Sequence, residues 1–146
     1  RSCLVGSEMC IRDSDKGAVG YSDADIIIHV ICDSILGALS EGDIGKHFPD
    51  TNEKYKGIDS KELLLEVVEI LHKKGFEINN IDVTVLLQRP KLRNHIDEMI
   101  ETLSAVMKID KKKLSIKATT TEGLGFVGRE EGVAAHCVTL INKIWT

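Results

Sequence analysis

Hydrophobic residues recur at helical spacing in three segments of the chain. Residues 26–39 are mostly apolar and contain few polar residues, a pattern typical of a helix buried on most sides. Residues 59–75 predict a clearer amphipathic helix, which Asp59 precedes and Gly75 terminates. A third helix is predicted over residues 95–107. The inner stripes of the second and third helices comprise Leu63, Val67, Ile70, Leu71, Ile96, Met99, Ile100, Leu103 and Met107.

Three other segments have the alternating pattern of strands. They are residues 79–88, residues 114–121 and a final strand from Val133 to about Asn142. The order from Asp15 is therefore helix, helix, strand, helix, strand, strand, which predicts an α/β (α+β) fold. We expect one domain with an open β-sheet and helices on one face. The inward positions of the first two strands are Ile81, Val83, Val85, Leu87, Leu114, Ile116 and Ala118.

The polar residues that a core does not need lie in the segments between these elements. Ser22 and Asp25 have the spacing of a capping box, which predicts a loop that enters the first helix at Ser22. Residues 42–59 form a long loop rich in Gly and Asp, and loops of that length are usually functional. Residues 88–93 and 117–130 are the other two candidate loops.

Composition narrows the class of protein. The 146 residues suffice for one domain with a core, and a net charge of -4 argues against a nucleic-acid partner. No apolar run reaches the length that spans a membrane. The four cysteines form no Cys-x-x-Cys pair, which indicates a reducing, cytoplasmic location.

His29 lies inside the apolar first helix, and two interpretations stay open for it. It is either a core histidine or a metal ligand. Asp25 and Asp33 lie four residues to either side on the same helix face. Either carboxylate could orient the ring nitrogen that does not bind a metal.

The segment "TTTEGLGF" follows the second strand and combines hydroxyls, a carboxylate and two glycines. It is either a solvated turn or a cradle for phosphate oxygens. Lys91 and Arg129 would supply positive charge for a phosphate. Glu122 and Asp43 could share a divalent ion with phosphate oxygens.

Four segments in this order, "SDADIIIH", "GDIGKHFPDT", "DVTVLLQRPK" and "KATTTEGLGFVGREEG", resemble the 2-C-methyl-D-erythritol 2,4-cyclodiphosphate synthase family of the non-mevalonate isoprenoid pathway. The resemblance runs from about Asp15 to the C-terminus. It implies a bacterial, cytoplasmic homotrimer with active sites between subunits. It also implies a lyase that cyclises 4-diphosphocytidyl-2-C-methyl-D-erythritol 2-phosphate to the 2,4-cyclodiphosphate and releases CMP. Zn²⁺ and a second ion, Mg²⁺ or Mn²⁺, are the implied cofactors.

The resemblance also implies roles for single residues. His29 matches a zinc ligand, Glu122 matches the ligand of the second divalent ion, and Thr120 matches a catalytic threonine that steadies the transition state. Tyr21 stands where the family commonly has a catalytic histidine, so we expect retained geometry with a changed pH profile. The implied substrate-binding residues are Tyr21, Ser22, Asp43, Ile44, Gly45, Phe48, Pro49, Asp50, Leu87, Gln88, Arg89, Pro90, Lys91, Leu92, Arg93, Thr119, Thr120, Thr121, Glu122, Phe126 and Arg129.

The first 14 residues depart from the family. The family's Gly-x-Asp-x-His-x-Phe motif, which supplies the other two zinc ligands, does not precede Asp15. Residues 4–14 instead resemble one reading frame of a transposon-type sequencing-library adapter. We therefore expect residues 1–14 to be a non-native tail, and residues 15–146 to be a cyclodiphosphate synthase domain lacking its N-terminal strands and full activity. The alternatives are a non-catalytic nucleotide-binding trimer and a ligand-free α/β assembly domain.

Overall fold

The computed structural model of the protein describes residues 19–145, and of residues 19–24 it describes only the helical backbone. The order of long helices and strands confirms the predicted order. The helices are α1 (Val19–Ala38), α2 (Ile44–His47), α3 (Ser60–Lys73), α4 (Ile96–Met107) and α5 (Gly125–Gly128); the strands are β1 (Phe76–Leu86), β2 (Leu114–Thr119) and β3 (Ala134–Lys143). Short 3-10 turns span Glu53–Tyr55, Leu92–His95 and Lys111–Lys113.

β1 is the central strand of the sheet that the described residues form, with β2 on one side and β3 on the other. It runs parallel to β2 and antiparallel to β3. The parallel pair is possible because α4 carries the chain back between β1 and β2. The carboxyl ends of β1 and β2 therefore meet at one edge of the sheet, where Leu86 lies opposite Thr119. This edge brings two of the predicted functional loops side by side.

The core lies between one face of the sheet and the long helices. Ile81, Val83 and Val85 of β1 are fully buried, and the residues between them are only half-buried. α1 contributes Ile27 and Ile31, which are also fully buried. Each such side chain stabilises the fold by about 1.5–3 kcal/mol relative to an exposed one. The predicted sheet with helices on one face is confirmed.

A hydroxyl contact joins α1 to β3 inside this packing. The Oγ atom of Ser34 lies 2.5 Å from Thr139 Oγ1 and donates a hydrogen bond to the Ile31 carbonyl at 2.8 Å. The Sγ atom of Cys137 lies 3.1 Å from the same Ser34 oxygen. The long helix is thus attached to the sheet by polar contacts as well as by apolar packing.

The predicted start of the first helix is wrong. Ser22 and Asp25 lie inside α1, which includes Val19. The capping-box interpretation fails at Asp25 because the carboxylate of this residue has a tertiary partner. Its Oδ1 atom accepts a hydrogen bond from Ser60 Oγ at 2.5 Å, at the start of α3.

Two strand predictions also need correction. β1 begins at Phe76, three residues before the predicted segment, because Ile78 is buried and pairs with β3 ahead of a register shift. Ala118 is exposed although it shares the alternation of Leu114 and Ile116, since the end of β2 extends past the core. Within residues 19–145, the structure contains no helix whose length and apolar content would let it cross a lipid bilayer.

Candidate functional site

His29 lies in the buried middle of α1, with an exposure of 7%. Burial lowers the pKa of its imidazole, and the negative charges of Asp25 and Asp33 oppose that shift. The ring is therefore mainly neutral near pH 7, which is the protonation state that binds a metal. This state is also that of a core histidine, so it is compatible with both interpretations from the sequence.

The carboxylates beside His29 hold neighbouring segments in place. Asp25 accepts the hydrogen bond from Ser60, and Asp33 Oδ1 accepts a hydrogen bond from the Ile44 amide at 3.0 Å. The second bond fixes the start of α2 against α1. Both carboxylates act electrostatically on His29, while their described hydrogen bonds organise α3 and the long loop.

The long loop contains local structure that keeps its apolar residues inside. Asp43 caps α2, because its Oδ1 atom accepts a hydrogen bond from the Lys46 amide at 3.0 Å. Ile44 and Phe48 are buried, and the Phe48 ring packs edge-on against Tyr55 with centroids 5.1 Å apart. Gly45 and Asp50 are exposed and Pro49 is half-buried. We call His29, Asp43–Gly45 and Phe48–Asp50 the helix group.

A second set of predicted residues lies at the shared edge of β1 and β2. The Leu87 amide donates a hydrogen bond to the Thr119 carbonyl at 2.9 Å, which extends the pairing beyond the strand ends. Leu87 and Leu92 are buried and belong to the core, whereas Lys91 and Arg93 are exposed. We call Leu87–Arg93, Thr119–Glu122, Phe126 and Arg129 the sheet-edge group.

Hydroxyl groups shape the turn after β2. The Glu122 amide donates to Thr120 Oγ1 at 3.3 Å, and the Thr121 hydroxyl donates to the Leu124 carbonyl at 2.6 Å. Glu122 adopts a left-handed backbone with φ 53°, and its side chain is exposed. The hydroxyl of Thr119 donates to the Thr120 carbonyl at 3.3 Å. This arrangement places one carboxylate beside exposed hydroxyls and amides that can bind phosphate.

Two other loop residues predicted from the resemblance are exposed. Phe126 has 49% of its surface accessible, next to Leu124 at 73%. The guanidinium of Arg129 donates two hydrogen bonds to Glu131, at 2.9 and 3.2 Å. These bonds lower the pKa of the Glu131 carboxyl and raise that of Arg129. Arg129 is therefore a charged group with a carboxylate partner in this structure.

The apolar members of the two groups share one hydrophobic core, which includes Ile44, Phe48, Leu87 and Leu92. Among residues 25–145, the hydrogen bonds of Asp43–Gly45 and Phe48–Asp50 lead to α1, α2 and the long loop, whereas those of Leu87–Arg93 lead to β2 and the segment after it. Asp43 caps α2 with its Oδ1 atom. Tyr21 and Ser22 belong to the part of α1 whose side chains lie outside the described residues.

Three contacts in and beside the sheet-edge group were missed in the sequence. Gln88 Oε1 accepts a hydrogen bond from the Gly123 amide at 3.3 Å, and Arg89 Nε pairs with Glu130 Oε1 at 3.0 Å. Gly128 lies against the backbone of Gly123, where a Cβ atom would be 2.1 Å from the carbonyl carbon. The glycines of residues 123–128 were a signal for the last of these contacts alone.

The two expected metal ions need different sets of protein ligands. A catalytic zinc site has three protein ligands, and residues 25–145 bring no three His, Cys, Asp or Glu side chains together. The described residues therefore do not fit zinc. Mg²⁺ needs only one or two carboxylates together with substrate phosphates, and the exposed Glu122 fits that requirement.

Comparison with known proteins resolves the family. The family model described as the YgbB family matches residues 2–142. The chain belongs to the YgbB family. A relative from Bacteroides thetaiotaomicron, named 2-C-methyl-D-erythritol 2,4-cyclodiphosphate synthase, is 54% identical over 131 residues, which are 90% of this chain and 82% of that protein. The resemblance identified from the four sequence segments is thus confirmed for this YgbB-family chain.

Solved structures of YgbB-like proteins agree with the fold. IspF of Plasmodium falciparum in complex with CDP superposes with a TM-score of 0.74 and 35% identity, over 83% of this chain and 72% of that chain. The bifunctional IspDF of Campylobacter jejuni gives a TM-score of 0.78 and 39% identity over 82% of this chain. This chain spans 32% of that larger protein.

Proposed function

We propose that this YgbB-family chain cyclises 4-diphosphocytidyl-2-C-methyl-D-erythritol 2-phosphate to the 2,4-cyclodiphosphate and releases CMP. The observation that carries the proposal is the meeting of the two loops at the carboxyl ends of β1 and β2. Ligands of open α/β sheets bind beside the carboxyl ends of the strands. The CDP complex of the Plasmodium falciparum relative supports a cytidine nucleotide as the ligand.

The loop after β1 is the proposed cytidine side of the site. Lys91 is exposed, and no ion pair among residues 25–145 involves it, so its ammonium group can neutralise a phosphate. Gln88 has amide hydrogens for a pyrimidine, because its described hydrogen bond uses only the carbonyl oxygen. Buried Leu87 and Leu92 anchor the loop at both ends. These features support a preformed surface for a nucleotide.

The turn after β2 is the proposed phosphate side. In the reaction, an oxygen of the 2-phosphate forms a bond to the β-phosphorus. The bond from that phosphorus to the oxygen of CMP breaks, and CMP leaves with the bonding electrons. Thr120 and the turn amides donate hydrogen bonds to phosphate oxygens, which neutralises charge that moves during transfer. Glu122 would hold Mg²⁺ or Mn²⁺, which supplies further positive charge to the diphosphate.

None of these steps is assigned to zinc, because residues 25–145 bring no three possible zinc ligands together. That observation favours a second candidate function, a protein that binds the cytidine nucleotide without cyclising the substrate. The change of pH profile that we propose for Tyr21 applies to the cyclising enzyme, the first candidate function.

The helix group is the proposed site of the methylerythritol part, contributed by a neighbouring subunit of a homotrimer. Two observations support this arrangement. The polar contacts of Asp43–Gly45 and of Leu87–Arg93 lead to different segments, and β3 presents Val138 and Leu140 at 73% and 57% exposure. Neighbouring apolar side chains that are this exposed are typical of association surfaces. A cytoplasmic location follows from the family resemblance and is part of the same proposal.

Measurement of CMP release from the substrate in the presence of Mg²⁺ tests the proposed function. We expect Glu122→Gln to lower the rate by about 100-fold, since it removes the metal-binding charge. Glu69→Gln is the matched control, because Glu69 is an exposed carboxylate on α3, away from the sheet edge. Release of CMP at equal rates by the wild type, Glu122→Gln and Glu69→Gln would contradict the role of Glu122. Binding of CDP without release of CMP would favour the second candidate.

A further inference from the structure

Residues 121–131, the sheet-edge loop, form a closed unit. Backbone hydrogen bonds run from Leu124 to Thr121 at 3.0 Å and from Gly128 to Leu124 at 3.1 Å. The Glu131 amide reaches back to the Phe126 carbonyl at 2.9 Å. Gly128 also lies so close to Gly123 that there is no room for a side chain between them. A loop of this kind moves as one body, so contacts at its two ends control its position.

Consecutive residues of the other loop contact both ends of this body. Gln88 accepts the hydrogen bond from Gly123, near the beginning of the sheet-edge loop. Arg89 pairs with Glu130, near its end. Gln88 and Arg89 follow directly on buried Leu87, whose amide is bonded to Thr119. The two outer contacts therefore extend from a segment that the core already fixes.

We infer that Arg89 and Glu130 form a clamp, together with the Gln88–Gly123 hydrogen bond, that sets the distance between the cytidine side and the phosphate side of the site. Arg89 acts in this clamp as a positioning residue and not through contact with the substrate. This inference rests on the proposed function. It assigns the Arg89 guanidinium to a protein carboxylate, although the family resemblance places Arg89 among the substrate-binding residues.

The exposure of the pair limits its effect. The Arg89 side chain is 80% exposed and that of Glu130 is 36% exposed, so solvent screens their attraction. The effect must come from placement of the loop, because an exposed ion pair contributes little to overall stability. Loss of the pair should therefore change KM for the cytidine substrate by about two- to fivefold and leave the melting temperature nearly unchanged.

The test compares Arg89→Gln, Glu130→Gln and the charge-swapped double variant R89E/E130R. Lys111 and Glu101 form an exposed pair at 3.3 Å away from the site, and K111E/E101K is the matched control. Hydrogen exchange of peptides from residues 119–131 and KM for CMP release are measured on each protein. We expect both single variants to exchange faster and to raise KM, with kcat changed less, and the swap to restore both values. The control should match the wild type.

Two outcomes would overturn the clamp. If Arg89→Gln raises KM and Glu130→Gln does not, Arg89 contacts the substrate directly. If neither single variant changes the exchange of residues 119–131, the pair does not position the loop. The exchange readout needs no substrate, so it separates failure of the clamp from failure of the proposed function. Faster exchange in both single variants with no CMP release by the wild type would retain the clamp and reject the function.

Discussion

Gly128 is the position at which a single methyl group should damage the site most. A Cβ atom built on Gly128 would lie 2.1 Å from the carbonyl carbon of Gly123, 2.6 Å from its oxygen and 2.7 Å from its Cα atom. All three atoms are backbone, so no side chain can rotate away. Gly128→Ala therefore requires Gly123 to move by about 1 Å, and Glu122 is its direct neighbour.

The expected effect on activity is larger than the effect on stability. A displacement of about 1 Å at a catalytic group can cost about 100-fold in rate. Overpacking costs about 1–3 kcal/mol of folding free energy, which lowers the melting temperature by a few degrees to roughly 10 °C in a chain of this size. CMP release and thermal unfolding should be measured on the same preparation.

Gly37→Ala is the matched control for this substitution. Gly37 is exposed near the end of α1, and nothing lies within 4 Å of an added Cβ atom. This variant should keep its activity and gain up to about 1 kcal/mol of stability from the higher helix propensity of alanine. If Gly128→Ala is as active and as stable as the wild type, the close approach of Gly123 and Gly128 does not position the site.

Three further predictions follow from the packing around α1. Burial lowers the pKa of His29 from its ordinary value of 6.5, so the stability that the neutral ring contributes is present above pH 6.5 and is lost as the pH falls below that value. In urea unfolding, the free energy of unfolding should fall less steeply with acid for His29→Gln than for the wild type, and an equal fall would contradict the shift. Ser34→Ala should cost about 1 kcal/mol because the Thr139 hydroxyl loses its short contact with Ser34 Oγ; an unchanged unfolding midpoint would refute this. Burial raises the pKa of both the Cys32 and the Cys137 thiols, so alkylation followed by peptide mapping should modify Cys137 slowly and Cys32 least, and fast labelling of Cys32 would contradict its burial.

The fold was predictable where periodicity and burial agree. The apolar stripe of residues 59–75 became α3 because Leu63, Val67 and Leu71 are buried, and Asp59 caps the helix through the Lys61 amide at 2.9 Å. The start of α1 was not predictable in the same way. A Ser and an Asp at capping distance also occur inside helices, and the tertiary bond from Ser60 decides the role of Asp25.

The candidate site was predictable as residue types but not as an arrangement. The segment from Thr119 to Glu122 could be identified from its hydroxyls and its carboxylate. The contact of Gln88 with Gly123 joins residues 35 positions apart, and it exists because β1 and β2 are parallel and in register. Alternation within one strand predicts which face each side chain takes, but it does not say which residues of a distant strand lie opposite, so the clamp and the glycine contact required the structure.

Isothermal titration calorimetry with CDP in the presence of Mg²⁺ tests most directly whether the loops after β1 and β2 form a cytidine diphosphate site. We predict saturable binding by the wild type, weaker binding by Lys91→Met and unchanged binding by Lys73→Met, since Lys73 is an exposed lysine on α3. Absence of saturable binding by the wild type would contradict the account. Equal affinity of all three proteins would place the nucleotide elsewhere on the molecule.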